Sequence, residues 1–173
     1  MLGDGGVKLF EKINWLPDVY HMNESHDLPL AFNLYKKYKD LKEIENRLRF
    51  TNHTPEPGGN EKTDFLLLQK FGYFNEVPSE EIKKIAHIEN DFLDHTGTAV
   101  RMSGRVNAVS KLHFKTLKSM WKEMESSNKI ISITNAKNFN YWADDEMYKL
   151  YTKMMMRRWQ KEKENANSFC LKK

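Results

Sequence analysis

Apolar residues recur every three or four positions along much of the chain, the spacing that gives a helix one buried face. Between about Leu30 and Phe50 the stripe is Leu34, Tyr38, Leu41, Ile44 and Leu48, with Lys36, Lys37, Lys42 and Glu43 off it. Before it, Val7 to Ile13 suits a short helix, and residues 14–29, interrupted by Pro17 and Pro29, read as irregular. Residues 51–60 hold Pro55, Pro57, Gly58 and Gly59 and exclude regular structure. Thr63 can cap a short helix over 64–71 that Gly72 stops.

Pro78-Ser79 followed by Glu80 and Glu81 is a helix start, with acidic side chains where the helix dipole favours them. That helix is expected to reach about His95, its core face being Ile82, Ile85, Ile88, Phe92 and Leu93. A longer helix follows, from a start between Thr98 and Val106 to about Met124. At 100° per residue, Val106, Val109, His113, Phe114, Leu117 and Trp121 share one face. Asp144-Asp145-Glu146 opens a last helix over about 144–164. The β-branched run near 129–134 is a short extended segment, which cannot make a sheet by itself. The pattern therefore predicts an all-α fold: an irregular bundle of four to six helices with long loops, forming a single helical domain over 1–173.

Charge adds a polarity to this picture. Residues 1–97 carry 12 Lys and Arg against 17 Asp and Glu, and residues 98–173 carry 16 against 7, a net of −5 beside +9. From His95 to Lys122 there is no carboxylate, while Arg101, Arg105, Lys111, Lys115, Lys118 and Lys122 all fall there. On one long helix these cations gather opposite the apolar face. A one-sign stripe points to an anionic partner, either nucleic acid, an acidic protein surface or anionic headgroups. The competing reading is a solvated face, or one paired with the chain's own acidic half. The zinc-finger spacing, the RNA-binding aromatic pattern and the GXXG loop are absent.

The last helix offers a broad apolar arc of Met147, Leu150, Tyr151, Met154, Met155 and Trp159, with Arg158 beside it. Met, Trp and Arg are common interface anchors, so this arc is read as a docking face. His87, Asp91 and His95 recur every fourth residue and could present two imidazoles and a carboxylate to a metal from one helix edge. Nothing clearly completes that shell, so no metal and no cofactor is expected.

Nucleophile elbows, paired zinc histidines, phosphate loops and dinucleotide fingerprints are missing. The single cysteine, Cys170, excludes an internal disulfide, and the lysines that follow it do not suit prenylation. No apolar run approaches a membrane span of about 20 residues. With no signal or transit pattern at the amino end, the expected location is an intracellular, reducing compartment, cytoplasmic or organellar. The sequence thus favours a non-enzymatic accessory or scaffold subunit of a larger assembly. That subunit would dock through the last helix and present the basic helix to an anionic partner. A stand-alone nucleic-acid-binding protein comes second, and a metal-dependent enzyme using His87, Asp91 and His95 third.

Overall fold

A computed structural model describes residues 2–88, 90–136, 138–142 and 144–170, without the side chains of 139, 140 and 165–170. The chain forms two units, Met1–Asn135 and Ala136–Lys173. The first unit is α/β, which overturns the all-α expectation. Its elements are α1 (Leu2–Lys12), β1 (Tyr20–Asn23), α2 (Pro29–Tyr38), α3 (Leu41–Arg47), β2 (Leu48–Asn52), β3 (Lys62–Asp64) and α4 (Phe65–Lys70). They continue as α5 (Ser79–Ala86), β4 (Phe92–Asp94), α6 (His95–Met102), β5 (Arg105–Ala108), α7 (Lys111–Met120) and β6 (Ile130–Ser132). Strands β1, β2, β5 and β6 make one parallel sheet in that order, and β3 pairs antiparallel with β4.

The strands are short and hide inside stretches that read as helix. The 30–50 stripe breaks at Lys39, whose left-handed backbone (φ 55°) closes α2, and at Asp40, whose carboxylate accepts the Lys42 N–H at 2.8 Å to start α3. From Leu48 the chain is extended, and Leu48 and Phe50 point into the core from β2. Strand β5 likewise cuts the expected 98–124 helix, with Val106 and Ala108 buried and Arg105 exposed. The segment expected to stand alone near 129–134 supplies β6, which pairs with β5. Across the sheet Met22, Phe50, Val106 and Ile130 lie in register and are buried together. This alternation of side chains, one face in and one face out, is what a pleated strand imposes.

The connections run from each strand's carboxyl end back to the next strand's amino end, as parallel pairing requires. Gly104 lets β5 enter beside α3, since a Cβ there would stand 2.0 Å from the Glu45 carbonyl oxygen. The longest connection, between β2 and β5, carries the antiparallel pair with α4 and α5. Its aromatic core joins Phe32, Phe65 and Phe74, the last at 5.1 and 5.0 Å from the other two ring centres.

The second unit consists of α8 (Phe139–Trp142) and α9 (Asp145–Cys170). Asp144 caps α9 by accepting the Met147 N–H at 3.0 Å, and Arg158–Glu162 forms an i,i+4 ion pair on it. No helix among the described residues is long and apolar enough to cross a membrane.

Candidate functional site

In a parallel α/β sheet, ligands meet the loops that leave the carboxyl ends of the strands. Here each of those exits carries asparagine. Asn23 ends β1 and Asn52 ends β2; Asn107 is the next-to-last residue of β5, and Asn135 follows β6. Ile133 N–H donates to the Asn107 Oδ1 at 2.8 Å and to the Ala108 carbonyl at 3.0 Å, and Asn135 N–H donates to the Val109 carbonyl at 3.1 Å. The chain leaving β6 is thereby held across the end of β5.

The centre of this edge is a chain of hydrogen bonds. His113, in the first turn of α7, is buried, and its Nδ1 accepts the Val109 N–H at 3.2 Å. An N–H can only donate, so Nδ1 is bare and the hydrogen of the neutral ring sits on Nε2. That nitrogen donates to the Asn52 Oδ1 at 3.1 Å. Asn52, fully buried, passes the interaction on through its Nδ2 to the Glu24 Oε2 at 3.4 Å. Glu24 Oε1 accepts the His53 backbone N–H and, at 3.4 Å, the Thr54 hydroxyl. The exposed His53 ring completes the cluster, its Nε2 standing 2.6 Å from the Asn23 Oδ1. Glu24 itself holds a positive φ of 74°, a conformation L side chains rarely adopt, fixed by its N–H bond to the Thr51 carbonyl at 2.9 Å. Strain of this kind persists where the surroundings over-determine it, and it concentrates at functional sites.

Burial holds the His113 imidazole below the ordinary histidine pKa; nearby Glu24 pulls the other way and His53 reinforces the burial. Protonation would also place a hydrogen on Nδ1 and break the bond to Val109. His95 is lowered too, mainly by burial, between the Tyr73 hydroxyl and the Thr63 hydroxyl, each at 2.9 Å. The unfolded chain therefore takes up protons first. Stability is full above the ordinary histidine value of about 6.5 and falls as pH drops below it. Urea midpoints measured from pH 8 to pH 5 should decline in that window, ahead of the carboxylates, and His113→Gln should make the decline shallower.

The cations of the acid-free run do not share one helix. Arg101 lies in α6, Arg105 in β5, Lys111, Lys115 and Lys118 in α7, and Lys122 beyond it. Arg101 Nη1 donates to the Ala86 carbonyl at 3.1 Å, Lys118 Nζ to the Ser127 carbonyl, and Lys122 lies 3.5 Å from Glu123. On α9, Met147, Leu150, Tyr151, Met154, Met155 and Trp159 are exposed. His87, Asp91 and His95 are not on one helix edge: α5 stops at Ala86, His87 and Asp91 have left-handed backbones, and His95 is buried in its own network. Among the described residues no cluster of three His, Cys, Asp or Glu could hold a metal. The sequence reading passed over Asn52, His53 and His113 together. The signal available was apolar–polar alternation ahead of asparagine, Tyr20 and Met22 before Asn23 and Leu48 and Phe50 before Asn52.

No protein-family model matches the chain. It is 37% identical over 144 residues to an uncharacterised protein of Methanocaldococcus jannaschii, covering 83% of this chain and 27% of that protein. It is 29% identical over 174 residues to a maltodextrin phosphorylase of Thermococcus litoralis, covering 92% of this chain and 21% of the enzyme. A glycogen phosphorylase of Aquifex aeolicus shares 28% over 168 residues, which is 87% of this chain and 24% of that one. The chain thus spans about a quarter of the length of these curated relatives. Among solved structures, the catalytic domain of starch synthase IV from Arabidopsis thaliana, bound to ADP and acarbose, superimposes with a TM-score of 0.57. The match has 19% identity and covers 83% of this chain and 30% of that one. The chain therefore shares the α/β fold of that domain over most of its own length. The expected non-enzymatic scaffold subunit, with nucleic-acid binding as its alternative, does not stand: the similar proteins are phosphorylases and a synthase domain of α/β architecture.

Proposed function

We propose that the carboxyl edge of the parallel sheet binds an α-glucan, as part of a glycosyl-transferring enzyme of the phosphorylase kind. The observation that carries this reading is the His113–Asn52–Glu24 chain ending at His53. A glucan is neutral and carries a hydroxyl on most ring carbons, each both donor and acceptor. Amide, imidazole and hydroxyl groups held in fixed orientation suit such a ligand, because each hydroxyl then meets a prepaid partner. His53 is the group placed to touch the sugar. Glu24, Asn52 and His113 act through it as positioning residues. The phosphorylase names of two relatives support the substrate class, and the strained Glu24 supports a functional rather than purely structural cluster.

Titration calorimetry with maltoheptaose tests the reading. We expect saturable binding in the millimolar range, about tenfold weaker in His53→Ala and unchanged in Lys84→Ala. Equal heats for His53→Ala and the parent chain, or no binding at all, would remove this edge of the sheet from the proposal.

A further inference from the structure

The first unit has a concavity at the other end of the sheet. Two adjoining cavities of about 760 and 590 Å³ share His87, Asp94 and Arg101 in their walls. Glu45 leads into β2, Met102 into β5 and Ser126 into β6, so the larger cavity opens at the amino ends of the strands. It is therefore separate from the asparagine-lined edge.

The two lobes differ in chemistry. The larger has apolar lining from Ile85, Met102, Met120, Trp121 and Met124, with Lys84 beside it. The smaller is lined by Lys62, His87, Asn90 and Phe92. Most of the carboxylates at the cleft are already engaged. Glu45 holds Lys129 at 2.7 Å, Asp94 accepts the Gly97 N–H at 2.7 Å to cap α6, and Glu123 lies 3.5 Å from Lys122. Glu125 is exposed at the cleft. Arg101 is fixed in the shared wall by its bond to the Ala86 carbonyl. Lys62 and Lys84 have no carboxylate within ion-pair distance among the described residues. The bend between α5 and β4 adds left-handed backbone at His87 (φ 51°) and Asp91 (φ 58°), so the wall that carries His87 is held in a costly conformation.

We propose that this cleft binds a small organic phosphate, its phosphate in the Lys62–His87 lobe and its apolar part against Met102, Met120 and Met124. Lys62 lines the phosphate lobe, with Asp94 and Arg101 in the wall it shares with the larger lobe and Lys84 in that larger lobe; cations on two sides suit a phosphate dianion, which offers more than one oxygen. The site is independent of glucan binding at the opposite edge.

Phenyl phosphate is the probe, titrated into the full chain at low salt and followed by calorimetry. The expected result is equimolar binding, about tenfold tighter than either inorganic phosphate or phenol. Lys62→Glu with Lys84→Glu should weaken it at least about tenfold, while circular dichroism confirms that these exposed positions leave the fold intact. Met124→Glu should weaken phenyl phosphate and spare inorganic phosphate. Lys111→Glu with Lys115→Glu, on α7, and His53→Ala should both leave the affinity unchanged. Two results would overturn the proposal: no saturation by about 10 mM, or an equal loss in the Lys111 and Lys115 pair, which would reduce the effect to general attraction by a chain of net charge +4.

Discussion

Asn52→Leu should destabilise the first unit by about 2 kcal/mol, although it keeps the side chain's size and removes no apolar contact. Asn52 and His113 are buried, so the imidazole loses its partner without gaining water, whereas the half-buried Glu24 can be solvated in part. The His113 Nε2–H is left with no acceptor there, and the Glu24 Oε2 with no amide donor. An orphaned buried polar group costs about 1–3 kcal/mol, and the His113 N–H becomes one. The midpoint of urea unfolding should fall while its slope stays the same. A cycle with His113→Leu separates this account from simple misfit. If the two residues act as one chain, the double variant should cost clearly less than the sum of the single ones. Additive losses would mean that the hydrogen bond between them contributes little. Glucan binding should weaken in both single variants, since Glu24 would no longer be held where it accepts the His53 N–H.

Phe50→Ala should cost about 3–5 kcal/mol and lower the melting temperature by roughly 10 °C. Phe50 is 1% exposed at the middle of β2, with Met22 and Val106 beside it on the neighbouring strands. Its removal opens a cavity in the sheet's covered face that no flexible neighbour can fill completely. The same truncation at Phe71, which is 65% exposed, should change stability little. A differential scan of both variants checks the contrast. It also tests the fold directly, because an all-α bundle gives position 50 no such central place.

The difference between the two folds lies in the length of the strands. Leu48 satisfies helical spacing when read with Ile44, and strand spacing when read with Phe50 and Asn52; a run that short carries both periods. Lys39 and Asp40 decide the matter, but a left-handed lysine leaves no mark in the sequence. Val106 and Val109 were the stronger hint, since β-branched residues favour extended backbone. The helix start at Ser79 was legible from its proline and acids. Its end was not, because His87 stops it without a glycine. The site was harder still. Asn23, Glu24 and His113 are distant in sequence from His53, and only parallel pairing of β1, β2 and β5 sets their strand ends side by side. The charge asymmetry between the halves was plain to read. It misled because the cations it counted are spread over α6, β5 and α7 instead of one helix.

The most direct test of glucan binding at the carboxyl edge is a map of backbone amide shifts as maltoheptaose is titrated into the isotope-labelled chain. The account predicts movement confined to the carboxyl edge: Asn23 and Glu24, Asn52 to Thr54, Val109 to His113, and Asn135. Perturbations that avoid those amides and fall elsewhere on the first unit, or none at saturating sugar, would contradict it.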